Sequence, residues 1–206
     1  MRKVLALAAA FVLFTFNVSG QSSRVVQLGE ALNDGTVTLS ASGNGVSSGF
    51  AVDGYLKNNT RNLININVII ENGIYLKNSG SGQDMVAIQV FLSDGGYYYE
   101  GRSKFISVPA QANIAIVFNA FCANFDLENP SREESFSVVS IPAAIRGIVS
   151  NISKYAADIF DSDKDVTTAI QLALWRSQGN TRDEIEKKFN FDFEEWELST
   201  AIMNIW

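Results

Sequence analysis

Apolar and polar positions alternate along the chain up to Ser140 and recur every three or four residues beyond it. In Leu63–Ile70, Ile64, Ile66, Val68 and Ile70 form one stripe and Asn65 and Asn67 fall on the other, the pattern of a half-buried strand. Further strands are predicted over Thr36–Ala41, Phe50–Lys57, Met85–Leu92, Tyr97–Glu100, Lys104–Val108 and Asn113–Cys122. Turn residues separate them: Asn33-Asp34-Gly35, Asn58-Asn59, Asn72-Gly73, Ser79-Gly80-Ser81-Gly82 and Asp94-Gly95-Gly96. Pro109 suits a strand end, where its missing N–H costs nothing. In the last strand Ile114, Ile116, Phe118, Ala120 and Cys122 share the more apolar face, which predicts that Cys122 points inward.

After Ser140 the period is helical. Ser140 can cap and Pro142 suits a first turn, followed by a stripe of Ile141, Ile145, Ile148, Ile152 and Ile159 with Ala156 between. Asp165 is predicted to cap a second helix over Val166–Ser177, stopped by Gly179. Thr181…Glu184 and Asp192…Glu195 have the spacing of capping boxes for two more, with Ile185, Phe189, Trp196, Ile202 and Trp206 turned inward. The expected fold is α+β: an Ig-like antiparallel β-sandwich over 21–139, then a small C-terminal helical part over 140–206 packed on it.

Composition narrows the chemistry. The 206 residues are 47% hydrophobic and 18% charged, with a net charge of −6, which fits a folded chain and speaks against a nucleic-acid partner. There is no histidine. Ser-His-Asp and Cys-His catalysis, an imidazole base and His-ligated metals are thereby excluded. Residues 1–20 read as a signal peptide: Arg2 and Lys3, an apolar run over Val4–Phe16, and small residues at Ser19 and Gly20 before Gln21. An N-terminal anchor helix is the other reading of that run. With the leader removed, the chain is expected to be secreted or held at the cell surface, with the periplasm as the alternative, and to have no membrane span. An exported protein with one cysteine cannot form an internal disulfide. Cys122 is then a small buried hydrophobe, half of an intermolecular disulfide, or a thiol committed to other chemistry.

Three patterns invite a functional reading. Asp161-Ser162-Asp163-Lys164-Asp165 begins like a calcium loop, but Val166 and Leu172 stand where an EF-hand needs Gly and Glu, so a solvated turn is expected and no metal. Glu194, Glu195 and Glu197 offer carboxylates for hydrolysis, yet acids in a first helical turn answer to the helix dipole. The third pattern is a pair: Asn119-Ala120-Phe121-Cys122-Ala123-Asn124 at a strand end, and Thr168-Ala169-Ile170-Gln171-Leu172-Ala173-Leu174-Trp175 in a helix.

Together these two segments resemble the signature segments of bacterial thioester domains, as do a short helix after the cysteine at Asp126–Pro130 and the polar turn ahead of the glutamine. Asn72-Gly73 and Gln83-Asp84-Met85 are similar to the Ig-like region that precedes the cysteine in some exported relatives. The resemblance implies an internal thioester between Cys122 and Gln171, shielded by Phe121 and Trp175, in an adhesion or binding module that captures amine groups of a protein ligand. It implies no enzymatic turnover and no cofactor. The alternative is a non-covalent exported binding or structural β-sandwich module with an inert Cys122.

Overall fold

The computed structural model describes residues 24–94, 97–98, 104–158 and 164–204. Residues 1–20, expected as a leader, and Ile159, Asp161–Asp163, Gly95-Gly96, Tyr99-Glu100 and Trp206 lie outside the described residues. In chain order the elements are β1 (Arg24–Val26), α1 (Leu28–Asn33), β2 (Val37–Gly43), β3 (Ser48–Asn58), β4 (Ile64–Asn67), β5 (Ile69–Asn78), β6 (Met85–Asp94) and β7 (Tyr97–Tyr98). They continue with β8 (Phe105–Val108), β9 (Asn113–Cys122), β10 (Ser135–Val139), α2 (Arg146–Asp158), α3 (Lys164–Arg176), α4 (Arg182–Glu186) and α5 (Phe193–Met203).

The Ig-like sandwich expected from the sequence is not what forms. Strands β5, β10, β2, β3, β9 and β6 hydrogen-bond in that order, and β6 pairs back to β5, which closes a six-stranded antiparallel barrel. A second sheet, β1–β4–β8, stands beside it. Two features turn a sandwich into a barrel. The register shifts between Phe50 and Val52, between Ala87 and Gln89 and between Ile69 and Ile74, and such irregularities bend strands and raise their twist enough for closure. The other is β10, a stave over Ser135–Val139 that is not among the strands expected from the sequence. It bridges β2 and β5, with only Phe136 buried.

The run Leu63–Ile70 splits for a related reason. It supplies β4 to the small sheet and the start of β5 to the barrel, and Val68 is the crossing point: its N–H donates to Lys104 O at 3.0 Å and its carbonyl accepts from Val90 N–H at 2.9 Å. Asn72-Gly73, expected as a turn between strands, lies inside β5 with φ of 60° and 66°.

Apolar side chains sort into two cores. One fills the barrel and continues under the small sheet, with Leu56, Leu76, Met85, Ile116, Phe118 and Cys122 among its fully buried members. The other lies between the barrel wall and the helices, joining Tyr75, Val86, Ile88 and Phe121 to residues of α2, α3 and α5. The isoleucine stripe of α2 holds, with Ile145, Ile148 and Ile152 buried, although the helix begins at Arg146 rather than after Ser140. Asp165 falls inside the first turn of α3 instead of capping it. Both capping boxes are formed, Thr181 with Glu184 and Asp192 with Glu195.

Candidate functional site around Cys122 and Gln171

Strand parity carries Cys122 into the barrel core, where it is fully buried. Helical phase carries Gln171 to the same place. On α3 every residue from Thr168 to Trp175 is buried, so the helix is enclosed over this stretch and its one carboxamide needs internal partners. It finds them 49 positions away on the end of β9. The Cys122 N–H donates to Gln171 Oε1 at 2.9 Å, and Gln171 Nε2 donates to the Cys122 carbonyl at 2.9 Å. The same N–H also reaches Ser47 O at 3.0 Å, a three-centre bond at the margin of the sheet. The cysteine and glutamine picked out in the sequence therefore meet, backbone to side chain.

The sulfur takes no part in that pairing. Sγ rests 3.6 Å from Met85 Sδ and 4.0 Å from Asn129 Oδ1. Burial pushes the thiol up to about 12, so at neutral pH it is protonated and a poor nucleophile.

The strand end is fixed from below by Asp84. Its carboxylate accepts from Tyr75 Oη at 2.8 Å, Lys77 Nζ at 3.0 Å and Asn78 N–H at 2.9 Å. Its own N–H donates to Asn124 Oδ1 at 2.8 Å, and its carbonyl accepts from Ala123 N–H at 2.8 Å. Burial, with the hydrogen bond to Asp84, raises the Tyr75 phenol far above its ordinary range, so it stays a donor. This anchor was not read as functional in the sequence. The signal for it is two polar residues, Gln83-Asp84, directly before the wholly apolar start of β6.

Trp175 lies in the same core cluster as Cys122, whereas Phe121 faces the helix layer on the other side of β9. Phe125 and Phe189 meet the Trp175 ring edge-on at 5.2 and 5.3 Å. These three rings wall a cavity of about 360 Å³ that also touches Gln83, Asn129 and Lys188. Gln83 Oε1 and Trp175 Nε1 are buried without a hydrogen-bond partner. At the rim Lys188 Nζ sits 3.3 Å from Asp126 and 4.6 Å from the centre of the Phe125 ring. The segment Asp126–Pro130 is turn and coil, so the short helix expected there is absent.

Among the other sequence candidates, one acid has a structural role. Glu195 accepts from Asp192 N–H at 2.7 Å as half of its capping box. Of the calcium-like run only Lys164 and Asp165 are described, both in α3, and among the described residues no three acidic or cysteine side chains gather in a metal-holding group. No described helix is long and apolar enough to cross a membrane. Compared with known proteins, the chain matches no family model, no curated protein and no solved structure.

Proposed function

We propose that this chain is an exported binding module in which Cys122 and Gln171 form an internal thioester that captures a primary amine on a partner protein. The observation that carries the reading is the Cys122 N–H donating to the Gln171 carboxamide oxygen, with both residues fully buried. A thiol attacks an amide at a useful rate only when the carbonyl is held, polarised and kept dry. That N–H is a donor already placed where negative charge develops on the oxygen. Attack requires a χ1 rotation of Cys122 that takes Sγ off Met85 and toward the carboxamide carbon. The S–C bond forms, the C–N bond breaks, and the thiol proton leaves with the departing ammonia. An incoming amine then attacks the thioester carbon, leaving an amide on Gln171 and a thiol on Cys122. The aromatic cavity beside Asn129 is the route for that amine; Lys188 pairs with Asp126 on its lining, and Glu128 leaves the lining one acid in excess, which favours a cationic lysine side chain.

A second reading has its own support. Both polar groups of the carboxamide are satisfied by the Cys122 backbone, and the sulfur lies against Met85. Gln171 is then a clamp from α3 to β9, and the chain is a non-covalent module. Intact mass of the mature protein separates the two. A deficit of one ammonia, removed by methylamine and absent in Cys122→Ala and Gln171→Ala, supports the thioester. A full mass, with one thiol that alkylates only on unfolding, overturns it in favour of the clamp.

A further inference from the structure

A second cavity, of about 450 Å³, opens between α2 and the start of β5, lined by residues that include Gln27, Asn67, Glu71, Lys104, Ser153 and Lys154. Its size is in the range of small-molecule sites, roughly 300–1,000 Å³. Two of its polar groups have no partner. Gln27 stands at the N-cap of α1 yet makes no capping bond, and its Oε1 is buried and unpaired. Ser153 is only 4% exposed and its hydroxyl is unpaired as well. A serine on a helix ordinarily returns its hydroxyl to the carbonyl one turn back, so an orphaned one is a cost that a ligand can remove.

The backbone makes room for this. Asn72 and Gly73 take left-handed conformations, and a Cβ on Gly73 would stand 2.7 Å from Val149 Cγ1 and 3.6 Å from Ser153 Oγ. Only glycine lets α2 come this close to β5. Ser150 Oγ donates to Asn72 Oδ1 at 3.1 Å, and the Asn72 side-chain N–H groups take no partner among the described residues.

Charge selects the ligand class. The lining carries Lys104 and Lys154 against one acid, Glu71, and none of the three is in an ion pair among the described residues. In a chain of net charge −6 this is a local cationic excess. Gln27 Oε1 requires a donor from the ligand, Ser153 accepts or donates, and the side-chain amides of Asn67 and Asn72 can donate. We propose that this cavity binds a small hydroxylated anion, a sugar acid or a sugar phosphate, with Lys104 and Lys154 on the anionic group and Gln27 and Ser153 on hydroxyls. The site is independent of the Cys122–Gln171 chemistry.

The test is ligand-observed NMR on the mature chain with glucuronate, glucose 6-phosphate and glucose. At least one anion is expected to bind with Kd on the order of 1 mM or tighter, and glucose about tenfold more weakly. Binding of glucuronate alone assigns a sugar acid, binding of the phosphate alone a sugar phosphate, and binding of both the shared chemistry. Ser153→Ala is expected to weaken the bound anion without lowering thermal stability. The Lys104→Gln, Lys154→Gln double variant is expected to bind it about tenfold less tightly. Absence of binding by both anions, glucose binding as well as they do, or wild-type affinity in the double variant overturns the proposal.

Discussion

Gln171 is the side chain on which both readings of the site depend, and it can be weighed directly. Replacing it with Leu removes two buried hydrogen bonds while keeping most of the volume. The Cys122 N–H retains Ser47 as acceptor, but the strand end loses its link to α3. Gln171→Leu is expected to lower stability by about 1–3 kcal/mol, read as a shift in urea midpoint without a change in slope. The thiol gives a second measurement. Its folded value, pushed by burial from an ordinary 9.0 to about 12, means the unfolded chain sheds the proton first as pH rises. The burial contribution is complete below about 9 and declines as pH climbs from there toward 12, by at most about 1.4 kcal/mol per pH unit. Cys122→Ala should flatten that decline, measured as stability against pH from 8 to 10, below the range in which the raised Tyr75 phenol begins to add its own decline. A wild-type chain already flat over this range carries no titrating thiol, the outcome a thioester demands.

Several short-range chemical signals were read correctly, although the expected caps at Ser140 and Asp165 did not form. The capping boxes at Thr181 and Asp192, the Asp34-Gly35 turn with Thr36 N–H on Asp34 Oδ1, and the parity of β9 all formed as the sequence implies. Elements failed where their identity depended on a distant partner. Asn58 looks like an exposed turn residue, yet it is buried and donates to Asn62 O, Val108 O and Pro109 O, because β3 ends against the loop after β8. Asn72-Gly73 has hairpin chemistry, but the chain uses its left-handed geometry to kink a strand under α2. That kink makes a sharp prediction. Gly73→Ala combines a strained φ of 66° with a collision against Val149 and should cost about 1–3 kcal/mol. Gly179→Ala, at φ of 93° but with nothing within 4 Å, should cost less, about 1 kcal/mol. Thermal melts of the two variants compare strain with and without the clash.

Closure of the barrel is the property least visible in the sequence, because it is decided by one weak stave. Strands β3, β9 and β6 are long, with paired neighbours on each side, and any antiparallel fold would use them similarly. Whether the sheet ends in free edges or closes depends on β10, five residues of which only Phe136 is buried. Without it, β2 and β5 would each present an unpaired edge, the feature that promotes chain-to-chain pairing. Hydrogen exchange should therefore find the slowest amides in β9 and its neighbours and faster ones in β10, as expected for a short strand held by few buried contacts. Phe136→Ala removes the inward anchor and should cost about 3–4 kcal/mol, near the lower part of the range for a buried Phe because the residue is 9% exposed. If β10 is the closing stave, exchange in that variant rises first at Ser137–Val139 and at their partners Tyr75–Lys77, while β9 stays protected and Cys122 remains slow to alkylate. Uniform acceleration across all strands would instead mean that barrel and closure open as one cooperative unit, and the Cys122 site would then be exposed in every opening event.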